Sequence, residues 1–166
     1  MVRVATAMKL AAILMTAAFL AACSSTKEEA PGPVVSTPSS SIKPGTADDF
    51  RVNVGDTVFF DTDQHSVRPD AQAVLQKQAA WLQKYPAVKL MVEGHCDERG
   101  TREYNLALGD RRAYAVKEFL VSLGIDAARL QTKSYGKEHP TCSESDDSCW
   151  QQNRRGYSVI SAGAGS

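Results

Sequence analysis

The sequence predicts an α+β domain, a two-layer sandwich with helices packed on one face of a small sheet. Short β-rich runs alternate with two long segments of helical periodicity in the order β-α-β-α-β-β. Pro69, Gly94 and Gly124 punctuate them where elements start, break or stop. At 166 residues the chain suffices for one ordinary domain and a tail.

The folded part, set at residues 49–162, begins near Phe50. TVFFD (57–61) is β-branched and aromatic and predicts the first strand. DAQAVLQKQAAWLQKY (70–85) places Ala71, Val74, Leu75, Ala79 and Leu82 near helical spacing. Pro69-Asp70 suits its start, because the N–H that proline lacks would be unpaired in a first turn anyway. AVKLMVEG (87–94) is a second strand, interrupted by Gly94. REYNLALGDRRAYAVKEFLVSLG (102–124) predicts a long helix with a buried stripe of Leu106, Gly109, Ala113, Val116, Leu120 and Leu123, ended by Gly124. LQTKSYG (130–136) is a third strand. A loop bracketed by Cys142 and Cys149 follows, and GYSVI (156–160) closes the set. Residues 163–166 are expected to be a disordered tail.

The N-terminus reads as an address. Arg3 and Lys9 precede the apolar run Leu10–Leu20, which is too short to favour a spanning helix over a signal core. LAAC (20–23) resembles the bacterial lipobox. That likeness implies a signal peptide over 1–22, cleavage before Cys23 and acylation of that residue. Ser24, where an aspartate would resemble a retention signal, points to the outer membrane, with the domain facing the periplasm. Residues 23–48 are rich in Pro, Ser, Gly and Thr and cannot bury enough apolar surface to order themselves, so they are expected to be a flexible tether. Extended at about 3.1 Å per residue, it reaches roughly 75 Å.

Composition narrows the function. Nineteen basic and nineteen acidic residues give a formal net charge of zero, which leaves no basic footprint for nucleic acid. In an oxidising compartment Cys142 and Cys149 are placed to form a disulfide, worth roughly 2.5 kcal/mol on the chain-entropy estimate. Their spacing exceeds that of a zinc ligand pair. No cofactor or metal signature occurs: His95, Cys96 and Asp97 alternate faces if extended, and His65 and His139 are distant in sequence.

EGHCDERG (93–100) concentrates the chemistry. Asp97 follows the second strand on a loop flanked by Gly94 and Gly100. Arg112 lies on the following helix, next to Ala113 but off the apolar stripe, where it can project toward the strand ends beside Asp97. A carboxylate and a guanidinium facing one concavity either bridge each other or hold the opposite charges of a zwitterionic ligand. Cys96 beside His95 leaves open a thiol enzyme, which would need a lowered thiol pKa.

The stretch VEGHCDERGTREYNLALGDRRAYAVKEFLVSLG (92–124) resembles the signature of the OmpA C-terminal-like family of peptidoglycan-binding domains. FFDTDQHSVRPDAQAVLQKQAAWL, RLQTKSYGKEHP and NRRG fall where that family has its other elements, so the likeness spans about Phe59 to Ile160. It implies a mixed sheet and non-enzymatic binding of peptidoglycan through meso-diaminopimelate. Asp97 would grip the ammonium of that residue and Arg112 its carboxylate. Asp61, Asn105, Leu106 and Arg155 are implied as further pocket positions. With the lipobox and tether, the likeness also implies Tol proteins as partners, including the periplasmic propeller protein; another envelope machine is the alternative. Cys96 stands where the family usually has threonine. Gly156 stands where a β-branched residue or alanine is common, and is expected to loosen the last strand.

Overall fold

Four strands form one mixed sheet in the order β1-β4-β2-β3: β1 (Thr57–Phe59), β2 (Lys89–His95), β3 (Leu130–Gly136) and β4 (Arg155–Ala162). β4 runs antiparallel to both β1 and β2, while β2 and β3 are parallel. A parallel pair needs a crossover, which helix α3 (Arg102–Ser122) supplies. The computed structural model describes residues 42–165. The signal segment, Cys23 and the tether up to residue 41 lie outside the described residues. No described helix is long and apolar enough to cross a membrane.

Alternation along the strands decides the faces. Val58, Leu90, Val92 and Leu130 point inward and are buried, together with Gly156 and Ser158. Helix α2 (Pro69–Lys84) meets them with Ala71, Leu75, Ala79 and Leu82, and α3 with Ala113, Val116 and Leu120. Each large aliphatic side chain buried here contributes roughly 1.5–3 kcal/mol. Phe59, Met91, Glu93, Tyr157 and Val159 belong to the other face and are exposed or half-buried.

A close backbone approach fixes α3 on β2. A Cβ on Gly94 would sit 1.8 Å from the Gly109 carbonyl oxygen, and one on Gly109 would sit 2.3 Å from Ser134 Oγ. Glycine at both positions lets helix and strand touch directly. The first half of α3 therefore lies over the C-terminal end of β2, where the charged loop emerges.

Several expectations change. The folded unit starts before residue 49: Gly45 is buried, and one turn, α1 (Ala47–Asp49), precedes a wider turn closed by the Gly55 N–H on Phe50 O at 3.0 Å. Asp49 anchors this corner by accepting from Gly45 N, Asn53 Nδ2 and Trp81 Nε1, each at 2.8 Å. The tail is likewise paired, since Gly165 N–H donates to Gly45 O at 3.1 Å. Strand β1 is shorter than expected and β4 longer. The cysteine-bracketed segment is not all loop: it contains α4 (Asp147–Asn153) and is closed by a Cys142–Cys149 disulfide, Cα–Cα 5.2 Å. Gly156 does not loosen β4, because Val116 fills its place; a Cβ there would lie 3.0 Å from Val116 Cγ2.

Candidate functional site

Thr101 ends the loop after β2 and starts α3, its hydroxyl accepting the Tyr104 N–H at 3.2 Å in an N-cap. Between that loop, residues Thr62 and Asp63 after β1, and the exposed start of α3 lies a cavity of about 340 Å³. Asp97, Asn105 and Arg112 all line it, with Cys96, Arg99 and Tyr104. The Tyr104 hydroxyl donates to the Asp63 carboxylate on the outer rim. The Asn105 side chain braces the loop from inside, donating to Arg99 O at 2.7 Å and Thr101 O at 3.1 Å.

Asp97 is 7% exposed and is already paired. Arg99 donates to it through its backbone N–H (3.1 Å), Nε (3.2 Å) and Nη2 (2.7 Å), and Arg154 through Nη1 (3.2 Å). Burial pushes the Asp97 carboxyl up, but the hydrogen bonds from Arg99 and Arg154 together outweigh it and hold the group below the usual carboxylate range. The two guanidiniums differ. Arg154 is 11% exposed and also donates to Phe60 O, whereas Arg99 is 40% exposed and rests on the Trp150 ring, 4.2 Å from its centroid.

Arg112 is 1% exposed. It lies on the buried stripe of α3, not beside it, and makes no direct hydrogen bond to Asp97. Its guanidinium ties three segments together by donating to Gln64 O (2.8 Å), His95 O (2.9 Å) and Asp61 O (3.0 Å). Burial lowers its pKa, but a guanidinium stays charged in proteins. Arg112 is thus a structural rivet as well as a cavity wall.

The other expected positions divide. Asn105 faces the cavity. Asp61 contributes its backbone oxygen to Arg112, while its carboxylate turns outward to Arg68 at 2.9 Å. Leu106 is half exposed and off the buried stripe, which runs through Asn105, Leu108, Gly109, Arg112, Ala113, Val116 and Leu120. Arg155 lines a different recess with Thr57, Phe59 and Tyr157 and donates to His139 O at 3.2 Å. Its neighbour Arg154 reaches Asp97 instead. Strand alternation held that answer: Gly156 and Ser158 point inward, so position 154 does too. Arg99, Thr62, Asp63 and Tyr104 were missed. Only Arg99 carried a signal, as a cation two residues from Asp97.

His95 and Cys96 are supporting residues. The Cys96 thiol is buried and donates to Asn105 O at 3.3 Å, and burial pushes its pKa up, away from the thiolate. His95 does not brace the loop through its ring: neither ring nitrogen has a hydrogen-bond partner among the described residues, and the ring stacks on Tyr135. Burial first, then the charges of Arg155 and His139, push it down to about 4. It is therefore neutral at pH 7, and the Glu93 carboxylate 3.4 Å from Nε2 is a neighbour, not an ion-pair partner. Among the described residues no group of three His, Cys, Asp or Glu side chains is placed to hold a metal ion.

A two-layer α+β domain with a charged cavity where the helix crosses the strand ends is the arrangement of a binding module. The chain belongs to the OmpA family, whose profile matches residues 59–154. Within that family it is similar to proteins named peptidoglycan-associated lipoprotein. The one from Agrobacterium fabrum is 59% identical over 125 residues, covering 75% of this chain and 70% of the relative. That of Rhizobium meliloti is 53% identical over 158 residues, covering 93% and 88%. The crystal structure of the peptidoglycan-associated lipoprotein from Burkholderia pseudomallei has a TM-score of 0.62 at 44% identity, covering 63% of this chain and 89% of that one.

Proposed function

We propose that this protein is a peptidoglycan-associated lipoprotein that ties the outer membrane to the cell wall by non-covalent binding. Cys23 carries the lipid, the tether spans the gap, and the domain faces the periplasm. The ligand is a wall stem peptide, gripped at meso-diaminopimelate, which bears an ammonium and a carboxylate on one side-chain carbon. One observation carries the reading: Asp97 and Arg112 line the same 340 Å³ cavity, one anionic and one cationic. Tol proteins, including the periplasmic propeller protein, are the proposed partners in envelope integrity and cell division.

The charges suggest how the grip works. Arg112 has five N–H groups and commits three to carbonyls, so its terminal nitrogens keep donor capacity for a ligand carboxylate. Asp97 accepts the ammonium on a carboxylate that Arg99 and Arg154 orient by hydrogen bonding. No bond is made or broken, and the protein is not an enzyme. A buried, protonated thiol at Cys96 and a neutral imidazole with no hydrogen-bonded partner at His95 are not poised for nucleophilic catalysis.

Sedimentation with purified sacculi tests the reading. Asp97→Asn keeps the shape and removes the charge, so binding should weaken by about 2–5 kcal/mol, at least roughly thirtyfold. Cys96→Ser should pellet like the wild type. Wild-type sedimentation of Asp97→Asn would remove the cavity from the wall-binding site.

A further inference from the structure

We infer that Trp150 is a positioning residue of this site, held by the Cys142–Cys149 bridge where its ring keeps Arg99 on Asp97. The inference rests on the wall-binding reading above. Trp150 does not line the cavity, yet it holds both residues that follow Asp97. Its ring lies under the Arg99 guanidinium at 4.2 Å, and its Nε1–H donates to Glu98 Oε1 at 2.9 Å. Arg99 in turn supplies three of the four hydrogen bonds to the Asp97 carboxylate, so where Arg99 sits decides how Asp97 is presented.

Trp150 stands on α4, which has seven residues and is far too short to persist in water by itself. What fixes it comes from the bracketing segment. Asp146 caps it through the Cys149 N–H at 2.9 Å, and Asn153 donates to Cys142 O at 2.7 Å while accepting from Thr141 N. The disulfide links the same two places, Cys142 before the helix and Cys149 one residue before Trp150. Opening it frees α4 to fray, and the indole then leaves Arg99. Besides Asp97 and the Trp150 ring, that guanidinium has the Thr62 hydroxyl at 3.5 Å.

The test titrates the full chain in detergent with a stem peptide containing meso-diaminopimelate. Trp150→Ala should weaken binding about tenfold, the scale of a lost cation–π contact and the ordering it provides. Trp150→Phe, which keeps an aromatic face, should stay within about twofold of wild type. The Cys142→Ser/Cys149→Ser variant should match Trp150→Ala, as should wild type in excess dithiothreitol. There, thiol–disulfide exchange moves two electrons and two protons onto the Cys142 and Cys149 sulfurs while the reagent closes to its cyclic disulfide. Reduction should add nothing to Trp150→Ala. The chain has two tryptophans, so peptide should change emission in wild type and leave Trp150→Phe, with Trp81 alone, unchanged. Wild-type binding by Trp150→Ala, or equal losses in Trp150→Phe and Trp150→Ala, overturns the inference. Asp97→Asn, run in parallel, separates the two readings: if it binds normally the wall-binding site itself is wrong, and if it alone loses binding only the role of Trp150 fails.

Discussion

Replacing Arg112 by lysine keeps the positive charge and removes the fork, which separates the structural duty of this residue from its proposed ligand duty. The guanidinium now reaches three carbonyls, two in the turn after β1 and one at the end of β2, at 2.8, 3.0 and 2.9 Å. An ammonium on a single carbon reaches one of them at best. Losing two charge-assisted hydrogen bonds at about 1.5–3 kcal/mol each gives a loss of roughly 3–6 kcal/mol. That is a large share of the 5–15 kcal/mol that typically stabilises a domain. At about 3–5 °C per kcal/mol for a domain of this size, the melting midpoint should fall by at least about 10 °C. Thermal unfolding followed by circular dichroism at pH 7 measures it, with urea titration as the second route. A midpoint within about 2 °C of wild type would refute the view that Arg112 rivets the residues after β1 to the end of β2.

Two further perturbations probe the scaffold. Gly109→Ala should destabilise by about 1–3 kcal/mol in urea unfolding, despite alanine's better helix propensity, because its Cβ meets Ser134 Oγ at 2.3 Å and the Gly94 carbonyl at 2.8 Å; a more stable variant would show that the helix lifts away without penalty. His95, held down to about 4 in the folded state, lies below its unfolded value of about 6.5, so the unfolded chain binds more protons between those values. Its contribution is fully present above about pH 6.5 and is lost as pH falls to about 4, roughly 3 kcal/mol in all. His95→Phe keeps the stack on Tyr135 and should flatten that limb of the stability curve; an unchanged slope from pH 6.5 to 4 would sink the assignment.

Local pattern carried much of this protein. Helical spacing located α2 and α3, β-branched runs located the strands, and the Asp97 loop stood out as a charge cluster between glycines. These features are local because periodicity, turn residues and strand composition act within about ten residues. Misreadings came where a residue's role depends on partners far along the chain. Arg112 was placed beside the apolar stripe, yet the carbonyls of Asp61, Gln64 and His95 pull its guanidinium into the interior, where an apolar side chain would donate to none of them. The choice between Arg154 and Arg155 turned on strand register: Phe59 pairs with Arg155, which leaves Arg154 to reach inward to Asp97. Nothing near Asp97 in sequence announces Trp150, since only the packing of a disulfide-closed helix brings it to Arg99. The sequence alone determined the four strands and two long helices with their order, and singled out the carboxylate at Asp97. Tertiary structure decided which cations face it, because a side chain's direction is set by register and packing across distant segments.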